Sequence, residues 1–500
     1  MGAAVTEHSS THAARNSSVA SFLKGSPKKL LINGKWVASK SGKTFETINP
    51  STEDVLALIA EGDKADVDEA VKAARHALDG KWSQISPHQR AQYLYKIAEL
   101  IDRNTDELAE LETLDNGKGV AFSKGFDVPG AAETFRYYAG WCTKLYGETN
   151  PSDPSMFNYT LREPVGGCGQ IIPWNFPLLM ASWKLAPALA CGNAVILKPA
   201  EQTPLTALRL GELILEAGLP EGVVNIITGF GPGAGSSIAE HPGIDKVAFT
   251  GSTEVGKIIL KASAGNLKRV SLELGGKSPN IVFPDADLKE AVPNSMMGVF
   301  FNSGQVCCAG TRIFVQRDMY DQFCDQLTTF SKGVSYGDPL DPKTVMGPVV
   351  SKEQFDRVKG YLEVGKKEGA KITTGGEAGK GKGYFVQPTV FTGVNNDMRI
   401  AREEIFGPVA TAISFKDEND AVLQGNDTEY GLAAAVWTRD LSRAHKVARA
   451  LKAGTVWVNC YNNIDPISSF GGYKQSGFGR ELGKHSLDLY TQMKSVYVKL

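Results

Sequence analysis

Apolar positions recur along this chain with two different periods, and the switches between them lay out its elements. The segment LLINGKWV, from Leu30 to Val37, reads as a strand, with ordered structure expected to begin near Lys29. A helical period follows. Val67, Ala70, Val71, Ala74 and Leu78 share one face, with Asp66 as the expected start, Glu69 as its capping-box partner and Gly80 as the stop. A second helix is expected after Ser86, an N-cap, with Pro87 in its first turn. The centre alternates more regularly. Strand AVILK (194–198) precedes helix LTALRLGELILEAG, opened by Thr203-Pro204 and closed by Gly218. Then come strand VVNIIT (223–228), a loop with a short helix, strand DKVAFT (245–250), helix STEVGKIILKASAG and strand RVSLEL (269–274). Wholly apolar strands separated by helices predict a parallel sheet with right-handed crossovers, an architecture of the nucleotide-binding type. A second α/β stretch runs from about Pro284 to Phe470, with ATAISF (410–415), a strand–helix pair around 433–452 and the strand GTVWVN (454–459).

Length turns this pattern into at least two domains, because 500 residues exceed what one core usually holds. Charge removes whole classes of partner. With 54 basic and 55 acidic side chains the net charge is −1, which leaves no basic field for nucleic acid and no polybasic membrane face. No apolar run reaches the roughly 18 residues of a spanning helix. The seven cysteines are odd in number and form no CxxC or Cys/His cluster, so neither a disulfide framework nor a metal site is indicated. A reducing, cytoplasmic setting is expected. Residues 1–28 are rich in Ser, Ala, Thr and His, lack the apolar core of a secretory signal and are expected to be a flexible tail.

The candidate chemistry centres on FFNSGQVCCAGTR (300–312). Cys307 follows a Gly/Gln turn and precedes a predicted helix, whose N-terminus would lower its pKa; a buried small hydrophobe is the alternative. Cys308 and the other five are assigned to that alternative. Glu273, at the end of a strand and before two glycines, is a candidate general base or a solvated strand-end carboxylate. Asn175 in IIPWNFP is an oxyanion donor or a turn residue. Gly251 and Ser252 follow a strand and open a helix, as phosphate sites do and as a plain N-cap serine does. Lys198 and Glu201 stand past the AVIL strand, where parallel sheets bind ligands; a carboxylate there accepts from ribose hydroxyls and repels a 2′-phosphate. Glu404, in EEIFGPV, is another candidate ribose ligand. GFGPGAG (229–235) has the wrong spacing for a dinucleotide fingerprint and reads better as a flexible connection.

Taken in order, PWNFPLLM, KPAEQTPLTAL, FTGSTEVG, LELGGKSPNIV, FFNSGQVCCAG, EEIFGPV, GTVWVNCY and FGGYKQSGFGRELG resemble the signature segments of the aldehyde dehydrogenase superfamily, from about Lys29 to Leu500. The resemblance is to the acetaldehyde/retinal group and to bacterial phenylacetaldehyde dehydrogenases. It implies an NAD-dependent oxidation of an aldehyde to its acid through a thioester on Cys307. Glu273 would be the base, and Asn175 with the Cys307 N–H the oxyanion hole. Lys184 and Glu481 match proton-relay positions. Lys198 and Glu201 would hold the adenine ribose, Gly251, Ser252 and Trp174 the pyrophosphate, and Glu404 the nicotinamide ribose. Ile171, Pro173, Gly231, Gly235, Phe249 and Phe406 complete the implied cofactor set.

The implied α/β fold has a Rossmann-like NAD domain (29–144 and 165–275), a catalytic domain (276–475) and a bridging β-arm (145–164 and 484–500), in a homodimer or homotetramer. The implied substrate pocket comprises Gly130, Phe176, Trp183, Phe301, Val306, Ile464 and Phe470. Gly130 stands where acetaldehyde enzymes carry a bulky residue, and Ile464 replaces an aromatic one. A roomy apolar tunnel for aromatic or long-chain aldehydes is therefore expected. Two rivals are weakened: a CoA-acylating relative typically lacks the glutamate at Glu273, and a non-catalytic structural relative need not keep Cys307, Glu273 and Asn175 together.

Overall fold

Strands without a polar face must be covered on both sides, and this chain does so twice. In the structure, a computed structural model that describes residues 14–379 and 381–500, there are two large sheets, the first drawing strands from both ends of the chain. The first has eight strands in the order Gly477–Phe478, Arg269–Glu273, Lys246–Thr250, Gly167–Ile171, Ala194–Lys198, Val224–Ile226, Leu30–Ile32 and Lys35–Val37. Its five central strands are parallel and its edge strands antiparallel. The register aligns Ile171 with Lys198 and Phe249, and Thr250 with Glu273, so these residues share the carboxyl edge of the sheet. That edge is where ligands of open α/β sheets bind.

The second sheet has seven strands: Lys371–Thr374, Thr389–Val394, Val409–Phe415, Arg312–Gln316, Pro279–Val282, Ala433–Trp437 and Thr455–Val458. All but the first pair in parallel. A third, antiparallel sheet joins Thr491–Lys499 to Met156–Pro164 and Thr149–Asn150. The helix Pro177–Ala190 is buried along its whole length, its sequence apolar but for Ser182 and Lys184.

Three local expectations are corrected. The first helix is Lys64–Asp79, with Asp63 as N-cap and Asp66, not Glu69, as its capping-box partner. Starting two residues earlier leaves Glu69 at the surface, paired with Lys72. LLINGKWV is a hairpin rather than one strand: Ile32 pairs with Lys35 around Asn33-Gly34, both with positive φ, the two-residue turn that Asn-Gly favours. The expected tail is ordered where described, since Ser17–Lys24 is a helix capped by Asn16; residues 1–13 lie outside the described residues. Just before this helix, the backbone N–H groups of Arg15 and Asn16 donate to Glu110, while the Arg15 guanidinium donates to the Leu340 carbonyl and to Asp338. Among the described residues no helix is long and apolar enough to cross a membrane, and no cluster of metal-ligating side chains occurs.

Candidate active site

A cavity of about 370 Å³ opens beside the carboxyl edge of the first sheet. It is lined from both large sheets and gathers Pro173, Trp174, Asn175, Phe176, Trp183, Gly251, Ser252, Glu273, Phe301, Val306, Cys307, Glu404, Phe406, Ile464, Phe470 and Glu481. These predicted site residues come from distant parts of the chain and converge on one space.

Cys307 enters from an irregular loop. The helix Leu288–Phe300 ends in the short 3-10 turn Phe301–Gly304, and Asn302, Ser303 and Gly304 all have positive φ. Left-handed backbone costs a non-glycine residue about 1–2 kcal/mol, so something must hold it. Ser303 Oγ donates to the Gly347 carbonyl at 2.8 Å, and Asn302 Nδ2 to the Asn175 carbonyl at 2.8 Å. Gly304 has a second reason to be glycine, since a Cβ there would sit 2.0 Å from the Gly407 carbonyl oxygen. The expected helix after Cys307 is absent; the chain turns and continues into the strand Arg312–Gln316. With no helix N-terminus to stabilise a thiolate, the Cys307 thiol lies well above its usual pKa, pushed up by the neighbouring Cys308 thiol, by burial, and by Glu404 and Glu273. Cys307 is still the half-buried thiol of the cavity. Cys142, Cys168 and Cys324 are buried elsewhere, and burial drives their thiols to about 11, 12 and 12.

Asn175 is buried and donates one amide N–H to the Gln305 carbonyl at 2.9 Å, two residues before Cys307. Glu273 ends its strand with neither carboxylate oxygen hydrogen-bonded. Burial, then Glu481, hold its carboxyl well above the usual range, against the pull of Lys184 and Arg480. Lys184 pairs with Glu481 and donates to Thr250 Oγ1 at 2.6 Å, in a wholly buried position behind the cavity wall. Phe470 and Glu481 are fixed by two reciprocal backbone bonds of 2.7 and 2.8 Å, and the Phe470 ring meets Trp183 edge-on at 5.5 Å.

Glu404 reaches the cavity only because position 275 is glycine: a Cβ there would lie 2.2 Å from its Oε2. It accepts the Gly276 N–H at 2.9 Å, and burial pushes its carboxyl up to about 7. Phe406, in left-handed backbone, packs edge-on against Trp174 at 5.2 Å.

Of the other cofactor candidates, Gly251 and Ser252 line the cavity, while Ile171, Lys198, Glu201, Gly231, Gly235 and Phe249 lie off it. Lys198 Nζ donates to the Pro199 carbonyl and lies 3.3 Å from Glu201 Oε2; burial lowers its pKa and Glu201 opposes that. Gly235 is adjacent, its notional Cβ 3.7 Å from Lys198 Cδ, and Gly231 opens the π-turn that leads there. Phe249 packs under Gly251, while Ser252 caps the helix Thr253–Ser263. The carboxyl edge of the sheet thus offers an ammonium, a carboxylate and a helix N-terminus, and Glu404 lines the cavity beside it. An ammonium and helix N–H groups for phosphate, with carboxylates to accept from ribose hydroxyls, fit a dinucleotide.

Gly130 is the misplaced candidate. It does not line the cavity; its notional Cβ would lie 3.1 Å from Leu179 Cδ1, and it is Leu179 that faces the space. Ile464 does line it. Sequence reasoning missed Phe126, Leu179, Met180, Thr250, Gln354, Arg357 and Asn462, all of which line the cavity. Gln354 and Arg357 lie on a helix, Lys352–Lys367, whose pattern is that of any amphipathic surface helix.

The sequence model of the aldehyde dehydrogenase family matches residues 36–496. A putative aldehyde dehydrogenase of Bacillus subtilis is 55% identical over 480 residues, 96% of this chain and 97% of that protein. The human mitochondrial aldehyde dehydrogenase is 54% identical over 474 residues, covering 94% and 92% of the two chains. The structure of an NAD⁺ complex of aldehyde dehydrogenase from Bacillus cereus superposes with a TM-score of 0.96 at 50% identity, over 100% of both chains.

Proposed function

Because this chain belongs to the aldehyde dehydrogenase family, we propose that it carries its substrate's acyl group on Cys307 and that its preferred aldehydes are bulky and apolar. The protein is an NAD-dependent aldehyde dehydrogenase, an oxidoreductase acting on small-molecule aldehydes. The single observation that carries the mechanistic reading is the placement on one cavity of a half-buried thiol and a buried carboxylate with no hydrogen-bond partner.

In this reading the Cys307 thiolate adds to the carbonyl carbon, and the oxygen becomes an oxyanion. The Asn175 amide has a second N–H beyond the one held by Gln305, and with the Cys307 backbone N–H it receives that charge. Bound NAD⁺ supplies the hydride acceptor. Loss of the aldehydic hydride restores C=O and leaves a thioester on Cys307. Glu273 then takes a proton from water, the water oxygen bonds to the acyl carbon, and the C–S bond breaks to release the acid and the thiolate. Lys184 and Glu481, behind Glu273, pass that proton onward. Lys198 and Glu201 hold one ribose and Glu404 the other. Gly251 and Ser252 meet the pyrophosphate, and Ile171, Pro173, Trp174, Gly231, Gly235, Phe249 and Phe406 shape the surrounding walls.

The substrate reading rests on Phe176, Trp183, Phe301 and Phe470, with Val306 and Ile464, around the thiol. Segments 29–144 and 165–275 are assigned to cofactor binding, 276–475 to the nucleophile, and 145–164 with 484–500 to self-association as a dimer or tetramer. Exposed Phe157, Leu161, Met493, Tyr497 and Val498 on the small sheet support that last role. The lack of any disulfide among the seven cysteines supports a cytoplasmic location.

The test is intact-mass analysis of Glu273→Gln after mixing with NAD⁺ and phenylacetaldehyde, alongside steady-state rates for phenylacetaldehyde, hexanal and acetaldehyde. A phenylacetyl adduct on the peptide containing Cys307, absent from Cys307→Ala, is expected. No adduct, or acid formation surviving in Cys307→Ala, overturns the mechanism. Acetaldehyde giving the highest kcat/KM overturns the substrate class.

A further inference from the structure

The loop that carries Asn175 and Phe176 is gripped from behind by one short segment. Glu112 Oε2 accepts the Leu178 N–H at 3.3 Å, and Asn116 Nδ2 donates to the Trp174 carbonyl at 2.8 Å. Between these two anchors, Lys118 places its ammonium 3.9 Å from the centroid of the Phe176 ring. The Lys118 side chain is fully buried. It is paired with Asp127 at 2.5 Å, and Glu112 Oε1 stands 3.9 Å away.

Asp127 has its own link to the cavity. It closes the π-turn Ser123–Asp127, which carries Phe126 into the lining. Phe126 and Phe176 both meet Phe301, at 5.6 Å edge-on and 5.8 Å tilted. Thus one ammonium touches the ring of one wall residue and fixes the carboxylate next to another. A buried charge is expensive, and this one is set against the ring of a cavity-lining residue. Burial also pushes Glu112 up to about 8 and raises Asp127.

We propose that Lys118 is a positioning residue for substrate specificity: clamped by Asp127, it fixes the Phe176–Phe301–Phe126 wall in the orientation that receives an apolar or aryl aldehyde. This rests on the assignment of that wall to the substrate. A cation seated on an aromatic face restrains the ring as well as attracting it. Without the ammonium, Phe176 loses its backing and the π-turn loses its anchor, so aryl binding becomes loose. A small aldehyde, which needs only the thiol and the oxyanion donors, is little affected.

The experiment compares kcat and KM for phenylacetaldehyde and acetaldehyde in wild type, Lys118→Met, Lys118→Arg and the paired Lys118→Met/Asp127→Asn. In Lys118→Met, kcat/KM for the aryl aldehyde should fall about tenfold, mainly through KM, with acetaldehyde changed less than about threefold. Lys118→Arg should restore part of the difference, since it returns a cation to the ring. If Lys118→Met leaves too little folded protein, the paired variant removes both charges and carries the same expectation. Phe176→Leu should at least halve the selectivity effect of Lys118→Met, because the ring is one of the two routes by which it acts, the other being the π-turn held by Asp127. Equal losses for both aldehydes, or a selectivity effect undiminished in Phe176→Leu, would overturn the proposal. A wild type that prefers acetaldehyde sinks the substrate class instead, and the ratio between wild type and Lys118→Met still reports on Lys118.

Discussion

Two carboxylates line the same cavity, and the backbone treats them differently. Glu404 enters past Gly275 and is tied to the Gly276 N–H, with burial pushing it up to about 7. Glu273, at the end of a strand of the first sheet, is raised well above its usual range and has neither oxygen bonded. Burial drives both shifts, so the shift alone does not distinguish the roles. The difference lies in the lone pairs. A carboxylate already engaged by an amide is a fixed acceptor, suited to holding a hydroxyl. One with its lone pairs open can take a proton and return it.

Amide replacements sharpen this contrast. Glu273→Gln removes the proton acceptor outright, and steady-state acid formation should fall by about 10²- to 10⁴-fold while acyl-enzyme accumulates. Glu404→Gln keeps an oxygen for the Gly276 N–H, so a smaller loss is expected, about tenfold in kcat/KM measured against NAD⁺, with little effect on the aldehyde KM. Equal losses in the two variants would erase the distinction. The smallest effect is expected at Cys308→Ala, with activity at the optimum within about threefold of wild type and a change in pH dependence. The Cys307 thiol is raised first by Cys308 and must deprotonate to react, so kcat/KM should rise with pH through its acid limb. Removing Cys308 should move that limb to lower pH. A pH profile of Cys308→Ala that overlays wild type would show that burial and the two carboxylates set the thiol instead.

The rim of this site was readable because its signals are local. Lys198, Glu201, Gly251 and Ser252 each lie within a few residues of a strand end, and apolar strands of constant spacing announce where the ends fall. The reactive end was readable only in part. Cys307, Glu273 and Asn175 stand out in their motifs, yet the helix expected after Cys307 is a turn, and before it come three left-handed residues, two held by the carbonyls of 175 and 347 and the third pressed against Gly407. No local pattern encodes partners that far away. Gly130 failed for the same reason: its missing side chain looked like open space, but Leu179, some fifty positions on, packs there. Gln354 and Arg357 were invisible because a helix shows its sequence period but not which neighbour its polar face will meet.

The paired residues Arg15 and Asn16 have a mechanical meaning. One short stretch of backbone and one guanidinium couple Glu110, on the helix Thr105–Asn116, to Asp338 and Leu340 of the opposite α/β unit. The same helix ends in the Asn116 that grips Trp174. Widening of the cavity between the two sheets would strain these bonds, so opening of the cavity and release of the segment around residue 15 are expected to go together. Hydrogen exchange at the Arg15 and Asn16 amides therefore acts as a remote gauge of how often the cleft opens.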